Sequence, residues 1–144
     1  MKFHAAAAAL ALAIVPGACM TVPNTHPLAG TQWQLTAIDT SGSTTTLTPA
    51  VQQRHTIAFV DGGEMQLQLD CNRGRSNWTA GRPKNGAGSI SIAPVASTRM
   101  ACPQPSFGTE LAGLAEAQRF ALTLDGRQLV IEAPQLRYTF TAAE

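Results

Sequence analysis

Two cysteines sit in polar company. Cys71 lies within Asp70-Cys71-Asn72-Arg73, and Cys102 closes Ser97-Thr98-Arg99-Met100-Ala101-Cys102. Three chemistries suit such a set. A thiolate beside guanidiniums can attack as a nucleophile, because positive charge lowers the thiol pKa. Thiolates also bind soft metals. In an oxidising compartment the two sulfurs would join as a structural disulfide. The nucleophile also needs a general base, and past the first residues the imidazoles are His26 and His55. His26 falls in a proline-containing stretch that reads as a linker, and His55 opens a strand, where a solvated surface residue is an equal alternative to a base. Zinc asks for about four ligands at short spacing, and the chain has no CxxC, HxH or HExxH. The leading reading is a Cys71–Cys102 disulfide, with thiol chemistry and metal binding as the weaker alternatives. No metal or cofactor is expected. The chain-entropy estimate for a loop of that length is about 3.7 kcal/mol.

The compartment is read from the amino terminus, MKFHAAAAALALAIVPGACM. Lys2 supplies a positive charge, and the apolar run from Ala5 to Val15 is too short to cross a bilayer, which takes about 20 residues. A basic start, a short apolar stretch and a small-residue site describe a secretory signal peptide over residues 1–18. Gly17-Ala18-Cys19 resembles the end of a bacterial lipobox, although Pro16 stands where leucine is usual. That resemblance implies cleavage before Cys19 and lipidation of its sulfur; the alternative is ordinary cleavage near Ala18 that leaves a free thiol. Residues 19–27 then read as a lipidated tether, with Pro23 and Pro27 among polar residues. Export leaves Cys71 and Cys102 as the natural pair.

Loss of Lys2 leaves nine basic against nine acidic residues. A neutral chain gives no electrostatic reason to bind nucleic acid and adds no polybasic support to an anchor. The remaining length suits one domain, residues 28–144, with one core. A monomer is expected.

Period-two alternation dominates that domain. Trp33, Leu35 and Ala37 alternate with polar residues, and a weak strand is expected at Thr45–Thr48. Residues 55–70 read as a hairpin: Ile57 and Phe59 lead in, Gly62-Gly63 turns the chain, and Met65, Leu67 and Leu69 lead out. Residues 72–78 read as a turn back toward Trp78. Ile90 and Ile92 mark a further strand, as do Phe120, Leu122 and Leu124, then Leu129 and Ile131, then Leu136, Tyr138 and Phe140. Phe107, Leu111, Leu114 and Ala115 fall at helical spacing and predict one helix over about 106–118, capped by Ser106 or Thr109. Trp33 and Trp78 read as core residues, and Met65 and Met100 as gap fillers. The expected fold is mainly β (α+β): a curled antiparallel sheet or partly open barrel of about eight strands with one helix.

LAGTQWQL (28–35), DCNR (70–73), ISIAPVASTRMAC (90–102) and Glu110 with Leu111 and Leu114 resemble the META domain, in particular the HslJ-like bacterial lipoproteins. The resemblance covers about residues 28–142. Asp70 stands where a small residue is usual, and Gly74 and Ser76 depart from the aromatic-then-glycine pattern. What it implies is a fold and an envelope location. Its members are associated with heat-shock, drug-tolerance and secretion or motility phenotypes, without an established reaction.

A disulfide would draw Asn72, Arg73, Thr98 and Arg99 together as a candidate binding patch, the guanidiniums suited to a carboxylate or phosphate. Alternatively these side chains satisfy loop carbonyls, and Asp70 pairs with Arg73 or Arg99. The expectation is a non-enzymatic lipoprotein binding a protein or envelope component in a stress-related role. Met20, not aspartate, follows Cys19, which favours the outer membrane, facing the periplasm. A small β-domain inhibitor of a secreted hydrolase is the second reading.

Overall fold

The computed structural model describes residues 25–144. The expected signal peptide, Cys19 and most of the tether lie outside the described residues. Ten strands follow one another: β1 Thr31–Thr40, β2 Ser43–Thr46, β3 His55–Phe59, β4 Glu64–Leu69, β5 Asn72–Ala80, β6 Ala87–Ile92, β7 Ala96–Ser97, β8 Arg119–Leu122, β9 Gln128–Glu132 and β10 Leu136–Ala142. Helix α1 (Pro49–Gln52) precedes β3, and α2 (Gly108–Ala112) runs into a 3₁₀ turn, Gly113–Glu116.

Eight strands pair antiparallel in the order β1-β3-β4-β5-β6-β8-β9-β10, and β10 returns to β1 along Trp33–Thr40. The sheet is a closed barrel, which gives all the alternating faces one interior. Trp33, Leu35, Phe59, Met65, Phe120, Leu129, Ile131, Tyr138 and Phe140 are all buried there. The two short strands fill gaps on single strands: β2 continues β3's side of β1, and β7 continues β6's side of β5.

Several expectations are corrected. A bulge between Leu35 and Ala37 shifts β1 by one residue, so Ile38 is buried and Ala37 only partly so. The weak strand lies at Ser43–Thr46. Residues 72–78 are not a turn but most of the nine-residue strand β5. Its inward positions are Gly74, Ser76 and Trp78, so two carry no hydrophobic signal. A Cβ on Gly74 would lie 2.9 Å from Val95 and 3.2 Å from Leu69, so the interior leaves no room for one.

The predicted helix is cut to five residues. Phe107, not Ser106 or Thr109, stands at its N-cap, with no side-chain cap bond. At its other end the Tyr138 hydroxyl donates to the Glu110 carbonyl at 2.7 Å, and a Cβ on Gly113 would lie 2.9 Å from that hydroxyl. The chain tightens to 3₁₀ at that point. Leu124, expected on a buried face, is fully exposed in the β8–β9 turn, and Met100 is 61% exposed. Leu111 and Leu114 are buried, as their spacing requires.

Strand direction sorts the connections to two ends. Residues 26–30, the turns 60–63, 81–86 and 123–127, and the C-terminus lie at one, the tether end. Helix α1, residues 70–71 and 98–102, α2 and the turn 133–135 lie at the other.

Tyr138 is the chain's only tyrosine, so its ionisation can be read directly. Burial, with a smaller contribution from the Glu110 charge, pushes its pKa up to about 12. An unfolded tyrosine ionises near pH ~10. The protonated hydroxyl's contribution to stability is therefore complete below pH ~10 and is lost as pH rises toward about 12. Ultraviolet titration of tyrosinate should give a midpoint near the higher value in folded protein and near the lower in denaturant. Equal midpoints would contradict the burial of this ring.

Candidate functional site

Asp70, Cys71 and Asn72 make the corner between β4 and β5, and each does something different. Asp70 adopts φ +63°, a conformation that aspartate tolerates better than most residues. This turns its carboxylate inward, where the side chain is buried and faces Arg54, Oδ1 to Nε 3.4 Å. The alternative reading of the patch pairs Asp70 with Arg73 or Arg99, and neither is its partner. Arg73 instead projects from the outer face of β5. Cys71 is bonded to Cys102, with Cα atoms 5.6 Å apart. That geometry is ordinary for a disulfide.

Asn72 clasps the segment that Cys102 ends. Its Oδ1 accepts from the Met100 amide at 2.7 Å and from the Thr98 hydroxyl at 3.0 Å. Its Nδ2 donates to the Met100 carbonyl at 2.9 Å. The Thr98 hydroxyl accepts from the Arg73 amide at 3.1 Å, and the Thr98 amide donates to the Arg73 carbonyl at 3.0 Å. Of the four patch residues, Asn72 and Thr98 are thus occupied internally. Arg73 and Arg99 have no ion-pair partner among the described residues.

The two arginines do not share one cleft. Arg99 lines a cavity of about 680 Å³ between the 95–104 segment and α2. Its floor is Leu69, Val95 and Ala112; Ser97, Gln104, Ser106 and Thr109 supply polar groups. Arg73 lines a separate groove of about 510 Å³ with Arg75 and Gln66. Ser97 and Thr98 border both. The first cavity has no aspartate, glutamate or histidine in its wall. Among the described residues, no three His, Cys, Asp or Glu side chains cluster as metal ligands would.

Both histidines among the described residues, His26 and His55, hold the fold together. His55 is buried and in phase with Ile57 and Phe59. Its Nδ1 donates to the Val51 carbonyl at 2.7 Å, and its Nε2 accepts from the Phe107 amide at 3.0 Å. One ring thereby joins α1 to the start of α2. At the tether end, His26 accepts from the Leu28 amide through Nδ1 and donates through Nε2 to the Gly81 carbonyl at 2.9 Å. Its ring lies edge-on to both Trp78 and Phe120, 5.5 Å between centroids. The packed domain therefore includes His26, which the linker reading had left out. The period-two phase of residues 55, 57 and 59 was a usable signal for the first histidine; His26 had none.

A closed eight-stranded antiparallel barrel with a disulfide-pinned loop at one mouth is the class of protein these features define. The model of the META domain matches residues 26–144, and the chain belongs to that family. The backbone is similar to the NMR structure of a protein from Burkholderia xenovorans, with TM-score 0.61 and 21% identity, covering 92% of this chain and 99% of that one. It is also similar to the crystal structure of a DUF4847 family protein from Bacteroides vulgatus. There the TM-score is 0.51 and the identity 13%, with 79% of this chain and 93% of that one covered. At these identities the likeness concerns the fold. Among curated proteins, none matches the sequence.

Asn72→Ala removes the clasp and should cost about 1–3 kcal/mol in urea unfolding. Arg99→Ala and Arg73→Ala, at unpaired exposed positions, should stay within about 0.5 kcal/mol of the parent. A large cost at Arg99 would show that the guanidinium serves the fold instead of facing outward.

Proposed function

We propose that this protein is a non-enzymatic envelope lipoprotein whose META domain binds a protein or envelope component through the Thr98–Cys102 loop and the cavity beside it. One observation carries the reading. The loop is held from behind by Asn72 and Cys71, while the Arg99 and Met100 side chains are exposed and Arg99 has no ion-pair partner among the described residues. A loop fixed before binding does not lose that conformational freedom on association. Arginine and methionine are enriched at protein interfaces. A cavity wall without carboxylates leaves Arg99 free for an anionic group on the partner.

The lipidated terminus is supported by Gly17-Ala18-Cys19 behind a short apolar run. Met20 after Cys19 supports the outer membrane, and the resemblance to the HslJ-like lipoproteins supports a stress-related role. The hydrolase-inhibitor reading is favoured by one feature. Both the amide and the carbonyl of Met100 are tied to Asn72, which would keep the loop in shape inside an enzyme cleft.

Mass spectrometry of the mature amino terminus should find an acylated Cys19. Capture from solubilised envelope should retain a partner on the parent protein. The double variant Arg99→Glu, Met100→Asp should weaken that capture tenfold or more, equivalent to about 1.4 kcal/mol, without lowering the melting temperature. Undiminished capture by the variant would exclude the loop as the recognition element. Stoichiometric inhibition of a secreted hydrolase, lost in the same variant, would favour the second reading.

A further inference from the structure

The end of the barrel opposite the clasped loop also carries an unassigned surface. The β8–β9 turn there is built to hold its own shape. The Asp125 carboxylate accepts from the Thr123 hydroxyl at 2.6 Å and from the Arg127 amide at 3.0 Å. Gly126 supplies φ +68°. The turn's tip is Leu124, whose relative exposure is 102%. The loop 81–86 is tied alongside, where the Leu122 amide donates to the Gly86 carbonyl at 2.8 Å. That loop presents Arg82 and Lys84, both exposed, and Arg127 is exposed on the turn itself. None of the three has an ion-pair partner among the described residues. Asp61, Asp125 and Glu144 lie at the same end, so its charge is mixed.

The position of this end relative to a membrane follows from chain length. His26, fixed by Gly81 and the two aromatic rings, belongs to it. Seven residue-to-residue steps separate His26 from Cys19. Fully extended, they reach about 25 Å at most. An acylated Cys19 would hold the tether end within that distance of the lipid and leave the clasped loop on the far side of the barrel.

We propose that the tether end docks on the phospholipid surface, with Leu124 entering the headgroup–acyl boundary and Arg82, Lys84 and Arg127 meeting lipid phosphates. The proposal rests on the lipidation of Cys19 proposed above. Long basic side chains lay their stems along apolar matter while their charges stay in water, which suits cations ringing an inserted leucine. The acidic groups of the same end match the amines of phosphatidylethanolamine, so mixed charge does not oppose contact with a mixed headgroup layer. The docked orientation points Arg99 and Met100 away from the bilayer, toward a partner outside the lipid.

The test uses the mature protein in vesicles of phosphatidylethanolamine and phosphatidylglycerol with brominated acyl chains. Variants Leu124→Trp and Met100→Trp are compared with the parent, whose two tryptophans are buried. The indole introduced at position 124 should be quenched by bromine, and the one at 100 should not. An unquenched probe at 124 on protein whose Cys19 is shown by mass spectrometry to be acylated would overturn the docking and leave lipidation standing. A probe at 124 that responds to protein density but not to bromine would assign this end to a second copy and likewise overturn it. Unmodified Cys19 in the mature protein would remove the lipidation and the docking together.

Discussion

Closure of the sheet by β1 against β10 is the constraint on which the remaining features rest. β10 runs beside β1 for almost all of its length, from Trp33 opposite Ala142 to Thr40 opposite Leu136. The pairing removes the last free edge of the wall and fixes which residues face in. It also gives the molecule two distinct mouths. Without closure, the alternating apolar faces would have no shared interior, and neither mouth would have a defined rim.

Each mouth is then finished by polar side chains acting on backbone groups. At one, His26 ties the arriving chain to Gly81 and rests on Trp78 and Phe120. At the other, His55 links α1 to α2, and the Asp70-Cys71-Asn72 corner pins the loop that ends at Cys102. Buried backbone groups need partners, and here side chains supply them where the barrel's ladders stop. The disulfide and the Asn72 clasp act on the same few residues, so the loop is held by a covalent bond and by hydrogen bonds at once. That double restraint separates a preformed loop from a flexible connection.

Much of the wall was legible in the sequence because its inward residues are large and alternate. Ile57 and Phe59, Met65 to Leu69, and Tyr138 with Phe140 announce their strands. The strand β5 was not legible, because Gly74 and Ser76 hold inward positions and neither carries an apolar side chain to mark the alternation. The long helix was overestimated because helical spacing at Leu111 and Leu114 says nothing of Tyr138, which arrives from the far end of the chain and takes the Glu110 carbonyl. The disulfide could be paired from the expectation of export and the cysteine number. The division of the patch could not: whether Asn72 faces Met100 or solvent depends on the bulk of the loop, and Asp70 reaches Arg54 only through its left-handed turn. Both histidine roles depend on partners more than fifty residues away, Gly81 and Phe107.

The META family membership and the two related structures establish what this chain is built like; the pinned loop bears on what such a barrel can present. Its rigidity is the central physical claim, and residue-resolved amide hydrogen exchange on the oxidised protein tests it most directly. The Thr98 amide, bonded to the Arg73 carbonyl, and the Met100 amide, bonded to Asn72 Oδ1, should exchange as slowly as neighbouring β4–β5 amides and lose that protection on reduction. Exchange of both at the rate of an unstructured peptide while the disulfide is intact would contradict the account.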